Sequence, residues 1–156
     1  MTDDSLLIEG SCHCGRIRFT LAWPQPADVI PVRACGCDFC QKHAGVWTAE
    51  PRSSLTVYVD DVGSVSRYRF GTETAEFLVC ARCGVTPVAT SEIDGGTYAV
   101  VNSRTFAPSD AFELSRSDVD FDGEDVGGRL ERRKRNWIPQ VRIVEAGDRR
   151  SGDRTA

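Results

Sequence analysis

Seven cysteines, confined to three short clusters, constrain the fold of this 156-residue chain more than any other feature of its sequence. The clusters are Cys12-x-Cys14, Cys35-x-Cys37-x-x-Cys40 and Cys80-x-x-Cys83. An odd number of thiols, behind an N-terminus without a secretory signal, argues against a disulfide framework and for a reducing, cytoplasmic location. Paired thiols at these spacings are typical of metal sites, which the fold assembles from short local pairs.

A structural zinc site takes four ligands, so the seven thiols divide into a group of four and a group of three. The group of four consists of Cys12, Cys14, Cys80 and Cys83. Gly15 and Gly84 each follow the second cysteine of a pair, where a left-handed residue commonly closes a metal-binding turn. Iron also binds four thiolates, but the C-x-C spacing favours zinc. We therefore expect a structural zinc ion in this group.

The remaining thiols, Cys35, Cys37 and Cys40, supply three ligands and leave a fourth position free, which is the arrangement of catalytic zinc. Two alternatives stay open: His43 takes the fourth position and makes the site structural, or the group holds no metal. A different partition, in which the first two of these thiols join the pair at 80–83, also fits the spacing. The sequence thus predicts two zinc sites, one closed and one open to substrate.

Alternation of apolar and polar residues predicts a mainly β domain of antiparallel strands with little helix. Period two is clearest at 16–21 and 55–59, and hairpins are expected within 67–79 and 85–102. No helical period persists before residue 128, and one short helix is expected at 130–136.

Apart from that short helix, little regular secondary structure is expected near the C-terminus. The acidic, glycine-containing stretch 109–128 is interpreted as a surface excursion, after which Trp137 and Ile138 return to the core. We expect residues 1–146 to form a single zinc-binding β domain and residues 147–156 to form a disordered tail.

Charge is distributed unevenly along the chain, whose formal net charge is −4. From residue 129 onward nine basic residues face four acidic ones. We interpret this basic end as a solvated helix or loop, and we expect no nucleic-acid partner because aromatic residues for base stacking are not interleaved with the charges. No apolar run approaches the roughly 18 to 20 residues of a membrane span.

Three ordered motifs resemble one known family. They are G-S-C-H-C-G at 10–15, C-G-C-D-F-C-Q-K at 35–42 and C-A-R-C-G at 80–84, with weaker similarity at 121–123 and 136–137. The family is that of the glutathione-dependent formaldehyde-activating enzymes, which also includes centromere protein V.

The resemblance implies an Mss4-like fold, in which β-sheets are pinned by zinc. It implies a structural ion in the group of four cysteines and an open, catalytic zinc at Cys35, Cys37 and Cys40. The implied activity is the formation of S-(hydroxymethyl)glutathione from glutathione and formaldehyde, classed in the reverse direction as a carbon–sulfur lyase. A thiol that becomes the fourth ligand would lose its proton at neutral pH and add to an aldehyde carbonyl.

Substrate-binding residues follow from the two carboxylates of glutathione. Arg33, Lys42 and Arg104 are candidate partners for them, and His43 is a candidate proton shuttle. The alternative to an enzyme is a non-catalytic, zinc-stabilised module that binds a small thiol or a protein partner. A role on nucleic acid is supported only by the basic end.

Overall fold

A computed structural model describes residues 5–24, 29–108 and 112–146 of the chain. The described elements, in chain order, are β1 (Leu6–Ser11), β2 (Ile17–Trp23), β3 (Val29–Cys35), α1 (Asp38–His43), β4 (Val46–Thr48), β5 (Ser54–Val59), β6 (Val65–Tyr68), β7 (Glu76–Cys80), β8 (Val88–Ile93), β9 (Gly96–Asn102), β10 (Glu113–Val119), α2 (Val126–Asn136) and β11 (Gln140–Glu145). Short 3-10 turns cover Val62–Ser64 and Ser103–Thr105. The mainly β fold is thereby confirmed, and the predicted tail at 147–156 lies outside the described residues.

Two sheets account for all the described strands. The smaller has the strand order β1-β2-β5-β11, and the larger has the order β10-β3-β4-β9-β8-β7-β6. Most neighbours are antiparallel, as expected, but two edge pairings are parallel: β10 with β3, and β11 with β5. Both parallel strands come late in the chain and reach their partners through long connections, which is the condition that a parallel pairing requires.

The main core lies between the two sheets and is built by alternation along the strands. In β2, Ile17, Phe19 and Leu21 are almost completely buried, and the residues between them are only partly buried. Phe19 stands opposite Val57 of β5 in the antiparallel register. Full burial of each such side chain contributes roughly 1.5–3 kcal/mol relative to exposure. The period-two pattern in the sequence therefore predicts this layer correctly.

A second apolar cluster covers the opposite face of the larger sheet. Val88 and Val101 belong to the main core, whereas their strand neighbours Ala89 and Val100 belong to the second cluster, because successive side chains point to opposite faces. Trp137, at the end of α2, packs in this second cluster. The larger sheet is thus covered on both faces, and its second face carries the three-cysteine group.

The two predicted hairpins are confirmed. β6 pairs with β7, and β8 pairs with β9 through a two-residue turn in which Asp94 and Gly95 have φ angles of 52° and 82°. Positive φ at both central residues is the requirement of the turn that best joins two twisted strands. Ile138 pairs with Ala99 of β9 through two backbone hydrogen bonds of 2.9 and 3.0 Å, so the predicted return to the core is also confirmed.

The stretch expected to be a surface excursion contains a strand, β10, that the sequence did not indicate. Nearly all its residues are exposed, so no apolar alternation marks it. Helix α2 begins four residues earlier than predicted, at Val126, after Asp125 caps it by accepting a 2.6 Å hydrogen bond from the backbone N–H of Gly128. Among the described helices, none is both long and apolar enough to cross a membrane.

Candidate functional site

The group of four cysteines lies where the two sheets meet. Cys12 and Cys14 are in the turn between β1 and β2 of the smaller sheet, while Cys80 ends β7 of the larger sheet and Cys83 lies in the turn that follows. The glycines after each pair have φ angles of +87° and +81°, as predicted for turns of this kind. One side-chain cluster therefore joins two elements that are far apart in the sequence.

The four sulfurs are spaced as a tetrahedral metal site requires. All lie within 4.8 Å of one another, with 3.8 Å between the sulfurs of Cys12 and Cys14 and 3.5 Å between those of Cys14 and Cys80. Zinc–sulfur bonds of about 2.3 Å in a tetrahedron place neighbouring sulfurs about 3.8 Å apart. Cys12 and Cys80 are each 1% exposed, so the site closes one end of the main core. The donor set and its spacing fit a structural zinc ion.

The protonation of this group is uneven. Burial raises the pKa of the Cys12 thiol to about 12, although the backbone N–H of Ile17 donates to its sulfur over 3.3 Å. Burial also acts to raise the pKa of Cys83, but backbone N–H groups outweigh it and lower that pKa to about 6. Metal ligation requires all the sulfurs as thiolates, so a cation has to displace protons here.

The group of three lies at the junction of β3 and α1. Cys35 is the last residue of β3, Cys37 caps α1, and Cys40 is inside the first turn of the helix. The three sulfurs lie within 4.8 Å of one another, separate from the group of four, so the alternative partition is not the one the structure has. Cys40 is 4% exposed, and its sulfur accepts a 3.3 Å hydrogen bond from the indole Nε1 of Trp47.

The thiols of this group have pKa values shifted in opposite directions. A hydrogen bond from the Cys40 thiol lowers the pKa of Cys35 to about 5, with backbone and side-chain hydrogen bonds from Cys37 and the charge of Arg132 acting in the same direction. The same hydrogen bond, together with burial, raises the pKa of Cys40 well above its usual range. The three sulfurs thus form a compact, electron-rich donor set.

A cavity of about 100 Å³ lies beside the three cysteines. Its walls are mostly apolar and come from strands of the larger sheet, from α2 and from the segment after β10. The lining side chains include Cys35, Cys37, Cys40, Trp47, Phe77, Val100, Phe121 and Trp137. A wider groove of about 620 Å³ shares Cys35 and Cys37 with the cavity and runs past Gly71 and Asp120. The cysteines therefore face a small apolar chamber connected to a larger cleft.

Three arginines contribute the positive charge of the cavity wall: Arg33, Arg132 and Arg133. Burial, followed by the charge of Arg132, lowers the pKa of Arg33. The guanidinium of Arg132 stands 3.5 Å above the ring of Phe121 and forms two hydrogen bonds, of 2.9 and 3.0 Å, with the carboxylate of Glu124. Of these three residues, the sequence predicted only Arg33.

The other predicted substrate-binding residues lie elsewhere. Lys42 and His43 are exposed on the last turn of α1, and neither is among the described residues that line the cavity or the groove. The His43 ring lies 4.4 Å from the ring of Phe39 and is not grouped with the three sulfurs. Arg104 is exposed in the turn after β9 and lines neither space.

Sequence reasoning missed the contribution of α2 to the site. The basic end was interpreted as solvated, yet Arg133 is buried and Arg132 is mostly so. The available signal was the helical spacing of Leu130, Arg133 and Trp137, which places the three on one side of the helix. Phe121 lies in the stretch 121–123 that resembles the family, but its position in the wall depends on the unpredicted strand β10.

Comparison with known proteins identifies one family. A sequence model described as "Glutathione-dependent formaldehyde-activating enzyme" matches residues 7–117, which is most of the chain. A protein of Halomonas elongata, provisionally named as a glutathione-dependent formaldehyde-activating enzyme, is 48% identical over 40 residues. That alignment spans 26% of this chain and 24% of the relative. A crystal structure of a Rhodobacter sphaeroides protein, from a structural genomics target, is similar with a TM-score of 0.48 and 24% identity, covering 69% of this chain and 99% of that one.

Proposed function

Because the chain belongs to the glutathione-dependent formaldehyde-activating enzyme family, we propose that it is a zinc-dependent carbon–sulfur lyase acting on S-(hydroxymethyl)glutathione. In the synthetic direction it would join the thiol of glutathione to formaldehyde or a related aldehyde. The observation that supports this proposal best is the position of the three-cysteine group in the wall of a small apolar cavity. A thiolate donor set beside a small apolar cavity suits a reaction between a thiol and a small carbonyl compound.

Two zinc ions per chain fit the cysteines. The group of four would hold a structural ion, and Cys35, Cys37 and Cys40 would hold a second ion with one position left for substrate. A zinc ion bound there would supply Lewis acidity that favours the thiolate form of the substrate thiol. The family name supports glutathione as the thiol, and the donor chemistry supports zinc.

The reaction balances without an oxidant or reductant. The glutathione sulfur forms a bond to the formaldehyde carbon, the carbonyl π bond becomes a C–O single bond, and the proton that leaves sulfur ends on that oxygen. In the reverse direction the hydroxyl proton leaves and the C–S bond breaks. No histidine lines the cavity among the described residues, so we propose that water from the adjoining groove carries the proton.

The sizes of the two spaces support a separate place for each substrate. The cavity of about 100 Å³ is smaller than the roughly 300–1,000 Å³ of pockets for larger ligands, so it suits formaldehyde and the reacting sulfur. The groove of about 620 Å³ falls within that range and suits the rest of the tripeptide. Arg33 lines the cavity and is available to a glutathione carboxylate, whereas Lys42 and His43 could contact only parts of the tripeptide outside it.

Adduct exchange tests the activity directly. Purified, zinc-loaded protein is mixed with glutathione and formaldehyde, and exchange between free and adduct signals is followed by NMR. We expect exchange faster than the uncatalysed rate, and we expect Cys35→Ser to abolish the acceleration. Arg135→Gln, at an exposed position on α2, is the control and should leave it unchanged. Stoichiometric glutathione binding without any acceleration would instead identify a thiol-binding module.

The location we propose is the cytoplasm. All seven cysteines are free thiols, and both cysteine groups need reduced sulfur to bind metal. A reducing compartment keeps such thiols available.

A further inference from the structure

Arg133 is an unusual residue in the wall of the cavity. It lies on α2, is only 6% exposed, and lines both the cavity and the groove beside the three cysteines. Within the described part of the chain, no carboxylate forms an ion pair with it, whereas its helix neighbours Arg129 and Arg132 both pair with Glu124. A buried charge without a partner is costly, because water is excluded and nothing replaces it.

The hydrogen bonds of Arg133 occupy only one of its three nitrogens. Nη1 donates to Thr74 Oγ1 over 2.9 Å and to Ser91 Oγ over 3.2 Å. Nε is buried and has no acceptor among the described residues, and the side-chain hydrogen bonds found among them leave from Nη1 alone. Nε and Nη2 form the edge through which arginine holds a carboxylate with two parallel hydrogen bonds. The two hydroxyls thus fix the guanidinium and leave its carboxylate-binding edge unused.

Other features of the site agree with an anion partner. Burial lowers the pKa of Arg133 to about 10, which still leaves the side chain charged at neutral pH. The guanidinium carbon lies 4.9 Å from the ring centre of Trp137, a contact that orients the cation. Glu124 acts on this charge through space but forms its ion pairs with Arg129 and Arg132. Arg33 and Arg132 add positive potential to the same wall, although the charge of Arg132 is balanced by Glu124.

We propose that Arg133 is a substrate-positioning residue that binds a carboxylate of the substrate pair beside the three-cysteine group. This inference rests on the proposed function, because that function brings a carboxylate-bearing thiol to the cavity. The carboxylate has two possible sources: glutathione, at its glycine or its γ-glutamyl end, or an aldehyde that itself carries a carboxylate. Both would place the acid against Arg133 and the reacting atoms near the cysteines.

Direct binding tests the proposal without requiring turnover. Trp47 and Trp137 line the cavity, so the tryptophan fluorescence of the zinc-loaded protein should report entry of a ligand. The probes are glutathione, its ethyl ester at the glycine carboxylate, and glyoxylate, which is the smallest aldehyde with a carboxylate. We expect Arg133→Gln to weaken binding of at least one carboxylate probe roughly tenfold to hundredfold, the range for loss of a charge-assisted hydrogen bond.

The three probes distinguish the possible sources of the carboxylate. If the glycine carboxylate is the ligand, glutathione binds the wild type at least about tenfold more tightly than its ester, and the Arg133→Gln variant does not distinguish the two. If the γ-glutamyl carboxylate is the ligand, Arg133→Gln weakens binding of glutathione and of its ester equally. If the aldehyde carries the carboxylate, Arg133→Gln weakens glyoxylate binding and leaves glutathione unaffected. The matched control, Arg135→Gln, makes the same charge change on the same helix and should bind all three probes as the wild type does. Equal affinities of Arg133→Gln and the wild type for every probe would overturn the proposal.

A purely structural role gives a different result. If Arg133 serves only as a counter-ion of the metal–thiolate group, Arg133→Gln should lose zinc on dialysis, and that outcome would also overturn the proposal. Arg133→Lys keeps a charge but lacks the two-pronged edge, so we expect it to keep its zinc and to recover only part of the affinity. The wild type could bind the carboxylate probes through Arg133 and still not accelerate adduct exchange. That result would support the carboxylate site and contradict the lyase function.

Discussion

At the scale of single residues, the two cysteine groups differ in what surrounds their sulfurs. In the group of four, backbone N–H groups of Ile17 and Cys83 donate to buried sulfurs at the end of the core. In the group of three, Cys40 is held by the indole of Trp47, while the other two sulfurs are only partly buried. The group of three also receives a backbone N–H, from Cys40 to the Cys37 sulfur, so it differs from the group of four in the indole donor and in the cavity that it faces. The same residue type is therefore placed for two purposes.

Gly10 gives a residue-scale prediction about the end of β1 that leads into the first metal-binding turn. A methyl group there would lie 2.3 Å from Cζ of Phe19 and 2.7 Å from the backbone oxygen of Thr105. Because neither the core ring nor the backbone can yield freely, we expect Gly10→Ala to reduce the free energy of unfolding by about 1–3 kcal/mol or more. Urea denaturation of the zinc-loaded protein measures this change.

Gly127 is the matched control for that substitution. It lies in α2, where an added methyl group would come no closer than 3.9 Å to Asp125. Gly127→Ala should stabilise the protein by about 0.5 kcal/mol, because alanine is the better helix former. A Gly10→Ala variant as stable as the wild type would contradict the close packing described for β1.

At the scale of elements, strands whose pattern is local could be predicted and elements fixed by distant partners could not. β2 and β5 alternate at period two because one face of each is in the core. α1 has only six residues, too few to show a helical period, and it forms because the Cys37 sulfur accepts from the backbone N–H of Cys40. β10 pairs with β3, which lies far earlier in the chain, and the exposed residues of β10 show no local pattern.

The candidate site likewise combines features that the sequence predicts with features that depend on tertiary packing. The turns at 12–15 and 80–84 are short and glycine-marked, so the sequence predicts the metal-binding pairs. Two partitions of the seven thiols fit the spacing, and the fold decides between them. The cavity wall, by contrast, comes from α2 and from Phe121, which reach the three-cysteine group through tertiary packing. The burial of Arg133 on the inner side of α2 could be inferred only from its helical spacing with Trp137. That no carboxylate pairs with it among the described residues can be seen only in the structure.

The ion pair between Glu124 and Arg132 gives an element-scale prediction that depends on pH. Hydrogen bonding to Arg132 lowers the pKa of Glu124, so the folded pKa lies below the unfolded value. The stabilisation is therefore fully present above the unfolded pKa, about 4.3, and is lost as pH falls through the folded value. We expect Glu124→Gln to destabilise the protein by about 1 kcal/mol at pH 7, because the pair is bidentate and only partly exposed.

Unfolding of the wild type and the Glu124→Gln variant at pH 7, 5 and 3.5 checks the sign of this prediction. Protonation of metal ligands affects both proteins alike, so the difference between them isolates the ion pair. That difference should be constant between pH 7 and 5 and should decrease at pH 3.5. A difference that grows on acidification would show that the carboxylate is not stabilised in its charged form.

At the scale of the whole molecule, the two cysteine groups connect different parts of the fold. The group of four connects the turn between β1 and β2 with the end of β7, and so ties one sheet to the other. The group of three lies within one sheet edge and its attached helix, at the junction of β3 and α1. A metal ion at the first site would restrain the relative position of the sheets, and one at the second would restrain only a local loop.

Because of this difference, we expect stepwise removal of zinc by a chelator to abolish activity before it lowers stability. We expect the first zinc equivalent to leave from the three-cysteine group, with loss of adduct exchange and little change in melting temperature, because three ligands beside a cavity hold metal less tightly than four at a core edge. The second equivalent should leave from the group of four with a large fall in melting temperature, since binding free energy at a structural site is folding free energy. Cys35→Ser should reproduce the first stage and Cys12→Ser the second. Metal analysis, calorimetry and exchange measurements on the same samples follow both stages, and simultaneous loss of both ions with the melting transition would show that the two groups act as one structural unit.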